Sequence, residues 1–282
     1  CVDAQMPQVK VHGGFHVHRV YEVPRETQGS WVALTIDPRG RLIASDQKGG
    51  LFRIDLNTNP ASVSEMEAPI GHAHGLLWAF DSLYAVVAEN AHQGPGLYRI
   101  EDVDKDDQLE TVKLLHPFAA TGEHGPHNVV LGPDGKSLFV IAGNKTPVPI
   151  GEHDISIVPR HWGEDDLLPR LWGPIGSEAG TPAPGGWIAK TDPDGKNWEL
   201  QAIGFRNAFD LAFDQQGEMI TVDADAEFDV GTPWYQPTRV FHVVPGTDFG
   251  WRSGAGKWPP YFADTLPPVV ELGPGSPTGI TF

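Results

Sequence analysis

A pattern of strand, turn and strand recurs along this chain and limits its fold more than any other feature. One copy occupies residues 204–223: polar residues, an apolar strand pattern, a turn at Gly217 and a second strand that ends on an acid. Similar copies begin near Trp31, His74 and His127. Their apolar residues alternate with a period of two, which is typical of strands. We therefore expect an all-β chain made of repeated units.

Repeats spaced by about 40 to 80 residues predict a β-propeller, in which each repeat forms one blade. Four copies are complete, and a fifth begins at residues 278–282. Because an unclosed stack of blades leaves strand edges bare, we expect a longer parent of six-bladed type, with about four blades and the start of a fifth here. The alternative is a complete four-bladed propeller.

Two segments fall outside the repeat. Residues 1–29 are expected to form an extended segment that joins the propeller, with a strand at Phe15–Val23, and the partial propeller itself covers residues 30–282. A large insertion at about 145–186 interrupts the third copy. Long loops in compact domains are often functional, so we interpret it as an ordered lid or as a contact surface for another domain. Its apolar anchors would be Trp162, Leu167, Leu168, Leu171 and Trp172.

Composition excludes several classes of function. The formal net charge of -17 argues against a nucleic-acid or anionic-membrane partner, since both attract clustered Lys and Arg. No apolar run approaches the length of a membrane span. The 33 Gly and 26 Pro occur in turn clusters, which suits many short strands. The single cysteine, Cys1, excludes an internal disulfide.

Polar residues precede the first strand of several repeats and should converge, because the first strand of each propeller blade lines the central channel. The opening of this channel is called the mouth below. A histidine at the mouth can act as a general base, and an arginine can clamp an anionic oxygen with two hydrogen bonds. The alternative is that these groups only satisfy backbone amides around a wet channel. The candidates are His72, His74, His124, His127, Arg206, Asn207 and Asp210.

An acidic run follows the second strand of the fourth repeat. Four carboxylates at alternating spacing would offer calcium the hard oxygen ligands that it prefers. Solvated loop acids are the alternative interpretation. The four residues are Asp223, Asp225, Glu227 and Asp229.

Three segments carry a resemblance to a known family: residues 123–135 (EHGPHNVVLGPDG), 204–207 (GFRN) and 248–251 (DFGW). They are similar to the soluble pyrroloquinoline quinone (PQQ)-dependent glucose and sorbosone dehydrogenases. Nearly the whole chain also resembles the propeller module of bacterial membrane-bound dehydrogenases that are often fused to a haem-c domain. Phrases that carry this second resemblance include residues 29–34 (GSWVAL) and 184–189 (PGGWIA).

The resemblance implies roles for individual residues. The catalytic histidine falls on His124, and the cofactor-contacting pair falls on Arg206 and Asn207. The acid that supports this histidine falls on Asn144, which cannot carry a negative charge, so His127 and Asp210 are the candidates to compensate. Asn144 and His74 are grouped with the cofactor-binding residues of the same mouth.

The resemblance also implies chemistry and context. PQQ would take hydride from a sugar or other alcohol, calcium would polarise the quinone, and the protein would mainly orient them. The electrons would pass to a haem-c domain or another acceptor. No Cys-x-x-Cys-His occurs, so no haem c is expected on this segment. An extracytoplasmic, periplasmic location in a bacterium is expected.

Two other functions stay open from the sequence. A non-catalytic propeller could use the same mouth to bind a carbohydrate or a partner domain. A metal-dependent lactonase or lyase on a similar propeller would need calcium or zinc held by acids and histidines at the channel.

Overall fold

Four sheets follow one another along the chain, and each is one blade of a β-propeller. The computed structural model describes residues 11–88, 94–151, 154–176, 178–263 and 265–282. The first strands of neighbouring blades lie side by side, so that the start of each blade reaches the same central region. The all-β propeller predicted from the repeat is confirmed, with four blades formed.

The strands of the four blades are as follows. Blade 1 contains β1 (Trp31–Ile36), β2 (Leu42–Asp46), β3 (Leu51–Asp55) and β4 (Ser62–Glu65). Blade 2 contains β5 (Ala73–Ala79), β6 (Ser82–Val87), β7 (Gly96–Glu101) and β8 (Thr111–Pro117). Blade 3 contains β9 (Pro126–Leu131), β10 (Leu138–Ala142), β11 (Ile155–Ser156), β12 (Gly186–Thr191) and β13 (Trp198–Phe205). Blade 4 contains β14 (Ala208–Phe213), β15 (Met219–Asp223), β16 (Thr238–Val243) and β18 (Val270–Gly273), and β17 (Thr247–Asp248) pairs in parallel with β13.

The helical elements are short. They are α1 (Arg25–Gln28) and three 3₁₀ turns at Trp162–Leu167, Glu227–Asp229 and Gly254–Gly256. Among the residues with described coordinates, no helix is both long enough and apolar enough to cross a membrane.

One type of turn, visible in the sequence, ends several strands. An aspartate accepts backbone N–H groups through its side chain, and the N–H of a glycine three residues later donates to the aspartate carbonyl. The glycine has a positive φ, which other residues rarely adopt without strain. This local chemistry fixes where the hairpins reverse. The pairs are Asp37 and Gly40, Asp192 and Gly195, and Asp214 and Gly217.

The core lies between blades, in three apolar layers. On β6, Leu83, Ala85 and Val87 pack toward blade 1, whereas Tyr84 and Val86 pack toward blade 3. All six residues of this strand are buried. Because successive side chains of a strand point to opposite faces, a strand covered on both sides is apolar throughout. The same rule applies to β10, whose five residues are also buried.

The two ends of the described chain differ from the predicted strands. The strand expected at Phe15–Val23 is wrong: residues 11–24 carry no strand and are mostly exposed, because no neighbouring strand pairs with them. Tyr21 nevertheless stacks on Trp31 at 5.6 Å between ring centroids. The segment 278–282, expected to begin a fifth blade, is not assigned as a strand and lies beside β14, where the Ile280 N–H donates to Asp210.

Polar contacts attach much of the insertion at 145–186 to the propeller. Leu167, Leu168, Leu171 and Trp172 are exposed, so these predicted anchors are wrong. Trp162 does pack against the core between blades 2 and 3. The attachment includes Trp187 Nε1 to the Thr146 carbonyl at 2.8 Å, Arg252 Nε to Asp165 Oδ2 at 2.8 Å, and the Ser253 hydroxyl to the Glu178 carbonyl.

Candidate functional site

The first strands of blades 2, 3 and 4 bring three rings together at the channel. The ring centroid of His127 on β9 lies 6.2 Å from that of His74 on β5 and 4.4 Å from that of Phe209 on β14, and the His74 and Phe209 centroids are 6.4 Å apart, so the three rings form a triangle. The rings are nearly parallel in both pairs that include His127. Residues that are far apart in sequence therefore meet at one place because their strands are neighbours.

His127 is buried and neutral. Its side chain is 1% exposed, and burial lowers its pKa to about 3. The Nε2 atom hydrogen-bonds Asn207 Oδ1 at 2.6 Å, and within the described ranges no group hydrogen-bonds Nδ1. A base with so low a pKa is a weak proton acceptor near neutral pH. The geometry therefore gives His127 the role of holding Asn207 rather than of removing a proton.

A buried carboxylate holds the turn that carries Arg206 and Asn207. Asp223, at the end of β15, is fully buried and accepts the backbone N–H of Arg206 at 2.9 Å and of Asn207 at 2.7 Å. Burial raises the pKa of Asp223, and the nearby Arg239 and these two N–H groups oppose the shift. This contact explains why the acid at the end of the second strand accompanies the Arg-Asn pair in the sequence.

His124 belongs to a chain of polar side chains. Its Nδ1 lies 2.8 Å from Asn144 Oδ1, and Asn144 Nδ2 donates to Glu178 Oε1 at 3.2 Å. The same Glu178 oxygen accepts from Arg206 Nε at 2.7 Å and lies 3.9 Å from His124 Nδ1. Glu178 therefore joins the candidate base to the candidate anion-binding arginine.

This chain determines which nitrogen of His124 carries the proton. An ionised carboxylate only accepts hydrogen bonds, so the Asn144 amide must direct its NH₂ group to Glu178 and its oxygen to His124. The imidazole then donates from Nδ1, and in the neutral ring Nε2 holds the lone pair. None of the residues that the structure describes hydrogen-bonds this Nε2.

The environment of His124 keeps the ring neutral. Burial lowers the pKa of His124, the charge of Arg206 lowers it further, and the Asn144 hydrogen bond and Glu178 oppose these effects. A neutral imidazole with a free Nε2 lone pair can accept a proton, so His124 meets the requirements of a general base better than His127.

Two cavities open at these side chains. The larger, of about 730 Å³, is lined by residues that include His72, His74, His127, Asn207, Phe209 and Thr278. The smaller, of about 230 Å³, is lined by Glu123, His124, Lys145, Glu178, Arg206, Glu227 and Phe228. Glu123 lines both. Their sizes approach those of small-molecule sites.

Gly143 allows the two halves of the site to approach each other. A Cβ atom at this position would lie 2.7 Å from Asn207 Oδ1 and 2.8 Å from the His124 carbonyl oxygen. Both distances are shorter than real Cβ contacts, so only glycine fits between His124 and Asn207.

Asp210 and Asn144 lie at positions that do not match the roles expected for them from the sequence. Asp210 accepts from Asn128 Nδ2 at 2.7 Å and from the Leu211 N–H at 2.8 Å, so it connects β14 to β9. No hydrogen bond between Asp210 and a histidine occurs in the described part of the chain. Asn144 is 5% exposed and lies between His124 and Glu178, so it supports the histidine instead of lining either of these two cavities.

The four acids expected to bind calcium have separate partners. Asp225 accepts from the Tyr235 hydroxyl, Glu227 pairs with Arg206 Nη2 at 3.2 Å, and Asp229 pairs with Lys257 Nζ at 2.5 Å. Asp223 accepts the two backbone N–H groups described above. The geometry therefore gives no support to one calcium site made from this run, because the 3₁₀ turn at Glu227–Asp229 sends successive side chains to different neighbours.

Another acidic group exists on blade 2. The carboxylates of Asp102, Asp104, Asp106 and Glu110 lie within 4.8 Å of one another, and over the described ranges this is the one cluster of metal-ligand type. It occupies the turn between β7 and β8, at the end of the blade opposite to the start of β5. It is mainly exposed.

The sequence patterns did not identify Glu178. It lies in the insertion, outside every repeat, and no neighbouring motif marks it. The interpretation of the insertion as an ordered lid was the one signal that pointed to this segment.

The fold places the chain in a broad class, that of β-propellers. No protein-family model matches the chain, and no curated protein does. Solved structures do match. The PQQ-bound aldose sugar dehydrogenase of Streptomyces coelicolor is 17% identical, with 86% of this chain and 68% of that chain covered and a TM-score of 0.56.

Two further structures are similar. A Thermus thermophilus protein described as an oxidoreductase (glucose dehydrogenase) is 20% identical, with 87% and 71% of the two chains covered and a TM-score of 0.58. The PQQ domain of the Coprinopsis cinerea pyranose dehydrogenase, in its holo form, is 11% identical, with 86% and 65% covered and a TM-score of 0.53. At these identities the similarity concerns the fold.

Proposed function

We propose that this chain is a PQQ-type quinoprotein dehydrogenase-like propeller that oxidises a sugar or another alcohol. The observation that carries the proposal is the arrangement of His124: a partly buried, neutral imidazole whose Nδ1–H is held by Asn144 and whose Nε2 makes no hydrogen bond to described residues. The Arg206-Asn207 pair lies at the same mouth. The similar folds of PQQ-binding sugar dehydrogenases add support.

The residues at the mouth fit an anionic quinone. Arg206 Nη2 is paired with Glu227, whose side chain is 51% exposed, so a ligand carboxylate could replace this partner. Asn207 lines the larger cavity, and its Nδ2 makes no hydrogen bond to described residues. His74 lines the same cavity. These three residues would hold the cofactor, whereas Asn144 lies behind His124.

When bound, PQQ would supply the two-electron acceptor for the oxidation. His124 Nε2 would remove the hydroxyl proton of the substrate, and the resulting imidazolium would keep its Nδ1–H on Asn144. Glu178, 3.9 Å from Nδ1, would stabilise that positive charge. The acidic run does not fit calcium as one site, so no part of this mechanism is assigned to that ion.

The wider context is also proposed from the sequence resemblance. Electrons would leave through a haem-c domain or another acceptor, the parent would be a bacterial membrane-bound dehydrogenase, and the propeller would be extracytoplasmic. A small sugar or alcohol is the proposed substrate, in agreement with the names of the similar structures.

Dye reduction tests the proposal. The full chain would be reconstituted with PQQ and calcium, and a panel of aldoses and simple alcohols would be screened with an electron-accepting dye. We expect reduction that falls by about 100-fold or more in H124N, since a general base contributes about 10²- to 10⁴-fold.

The matched control is H18N, which alters an exposed histidine of the N-terminal segment and should leave the rate unchanged. PQQ binding without any dye reduction, or equal rates for H124N and the unaltered chain, would refute the proposed role. Hydrolysis of a lactone by the reconstituted protein would instead support the lactonase alternative.

A further inference from the structure

We propose that Glu178 is a positioning residue for His124: it supplies the negative charge that residue 144 lacks and keeps the imidazole proton on Nδ1. The proposal concerns the ground state of the protein. Only its catalytic consequence rests on the proposed function.

The contacts form a continuous path. Glu178 Oε1 accepts from Asn144 Nδ2 at 3.2 Å, and Asn144 Oδ1 lies 2.8 Å from His124 Nδ1. Asn144 is 5% exposed and the Glu178 side chain 12% exposed, so water competes weakly for these bonds. Without an acceptor for its NH₂ group, Asn144 could turn over and present a donor to His124. The carboxylate of Glu178 therefore sets the orientation of the amide and, through it, the tautomer of the ring.

Other charges around His124 are placed differently. Arg206 opposes protonation of the ring, and Lys145 is bound to Thr181. Glu227 is half-exposed, so solvent weakens its field. Asp223 is buried, but it serves two backbone N–H groups and lies near Arg239. Glu123 is exposed. Glu178, whose side chain is partly buried, is thus the carboxylate with the most direct connection to the ring.

A simpler role for Glu178 is that of counter-ion to Arg206, whose Nε lies 2.7 Å from the carboxylate. The two roles predict different behaviour of His124. A counter-ion alone would leave the tautomer unchanged when glutamine replaces glutamate. A positioning residue would not, because the neutral amide oxygen of glutamine accepts the Asn144 N–H more weakly than a carboxylate does and must also serve Arg206.

The test is nuclear magnetic resonance of the full chain with ¹⁵N-labelled histidine, without quinone or substrate, with H124N used for assignment. We expect the unaltered chain to show the Nδ1–H tautomer at His124. In E178Q we expect mixed tautomers and a pKa of His124 lower by at least about one unit, since an opposite charge at this distance shifts a pKa by about one to three units. An Nε2–H tautomer in the unaltered chain, or an unchanged tautomer and pKa in E178Q, would overturn the proposal.

Two more variants complete the design. E227Q removes the other carboxylate on Arg206 without contact to Asn144, and it should keep the Nδ1–H tautomer. The double variant N144D/E178Q moves the charge to position 144 and should restore both the tautomer and the pKa. If E178Q alone does not fold, the double variant decides: the Nδ1–H tautomer supports the proposal and the Nε2–H tautomer overturns it.

These results are independent of the proposed function. If no quinone binds but E178Q shifts the tautomer, the dehydrogenase proposal fails and the role of Glu178 stands. If the dye is reduced but E178Q leaves the tautomer and pKa of His124 unchanged, the dehydrogenase proposal stands and the role proposed for Glu178 fails.

Discussion

The substitution G143A should destabilise the protein through one methyl group at the centre of the site. The new Cβ would lie 2.7 Å from Asn207 Oδ1, 2.8 Å from the His124 carbonyl oxygen and 2.9 Å from the His124 Cβ. The backbone cannot easily withdraw, because the His124 carbonyl accepts the Lys145 N–H at 3.0 Å and the Gly143 N–H donates to Gly125 at 2.9 Å. The side chain of Asn207 must therefore move.

The magnitude follows from two costs. Inserting a methyl group into a packed interior costs about 1 to 3 kcal/mol. Moving Asn207 also weakens its hydrogen bond to His127, which adds about 1 kcal/mol. We expect the free energy of unfolding to fall by about 2 to 4 kcal/mol, and Tm to fall by about 4 to 16 °C, from about 2 to 4 °C per kcal/mol in large domains.

Thermal unfolding followed by circular dichroism, with denaturant titration as a second measure, checks this expectation. The control is G163A, because a Cβ at Gly163 meets no atom within 4 Å. This control measures the small gain in stability that a Gly→Ala change brings by lowering the conformational entropy of the unfolded chain. A loss of 1 kcal/mol lowers Tm by at least about 2 °C. The reasoning would therefore be refuted if the Tm of G143A lay within about 1 °C of the Tm of G163A.

Two further perturbations test the core and the buried histidine. W187A should lower the free energy of unfolding by about 3 to 5 kcal/mol in guanidinium titrations, because Trp187 is fully buried between blades 2 and 3. The control is W172A, which should lower the free energy of unfolding much less because Trp172 is half-exposed. The pKa of His127 is lowered to about 3, so the unfolded chain binds the proton more tightly and stability should fall as pH drops from about 6.5 toward 3, by at most about 1.4 kcal/mol per pH unit. In H127Q this part of the pH dependence should disappear, and an unchanged slope would contradict the assigned burial.

The insertion at 145–186 contributes a carboxylate to the candidate site in addition to covering part of the propeller. Its Glu178 reaches the mouth because the Ser253 hydroxyl and Arg206 both hold this residue against the propeller. The side chains of the exposed leucines take no part in this attachment, although the Leu171 carbonyl accepts the Ala255 N–H at 2.8 Å. A loop that supplies one carboxylate to a site built from strand tips can change without disturbing the blades.

The sequence was sufficient for the repeat and for the convergence of several candidate residues at one channel. Period-two apolar patterns and Asp-x-x-Gly turns depend on neighbouring residues only, so the positions of β9, β10, β14 and β15 could be predicted closely. The convergence of His74, His127 and Asn207 also followed, since strand tips of successive blades must meet around one channel. The sequence thereby identified the mouth and its candidate residues.

Only the tertiary structure decided which of those side chains are buried and which hydrogen bonds they make. Burial makes His127 a poor base, whereas His124 bonds Asn144 through Nδ1 and its Nε2 makes no hydrogen bond to described residues. The acids from 223 to 229 alternate in sequence, yet each meets a different partner in space. Desolvation and hydrogen-bond partners depend on contacts between distant segments, and no local pattern of residue types encodes them.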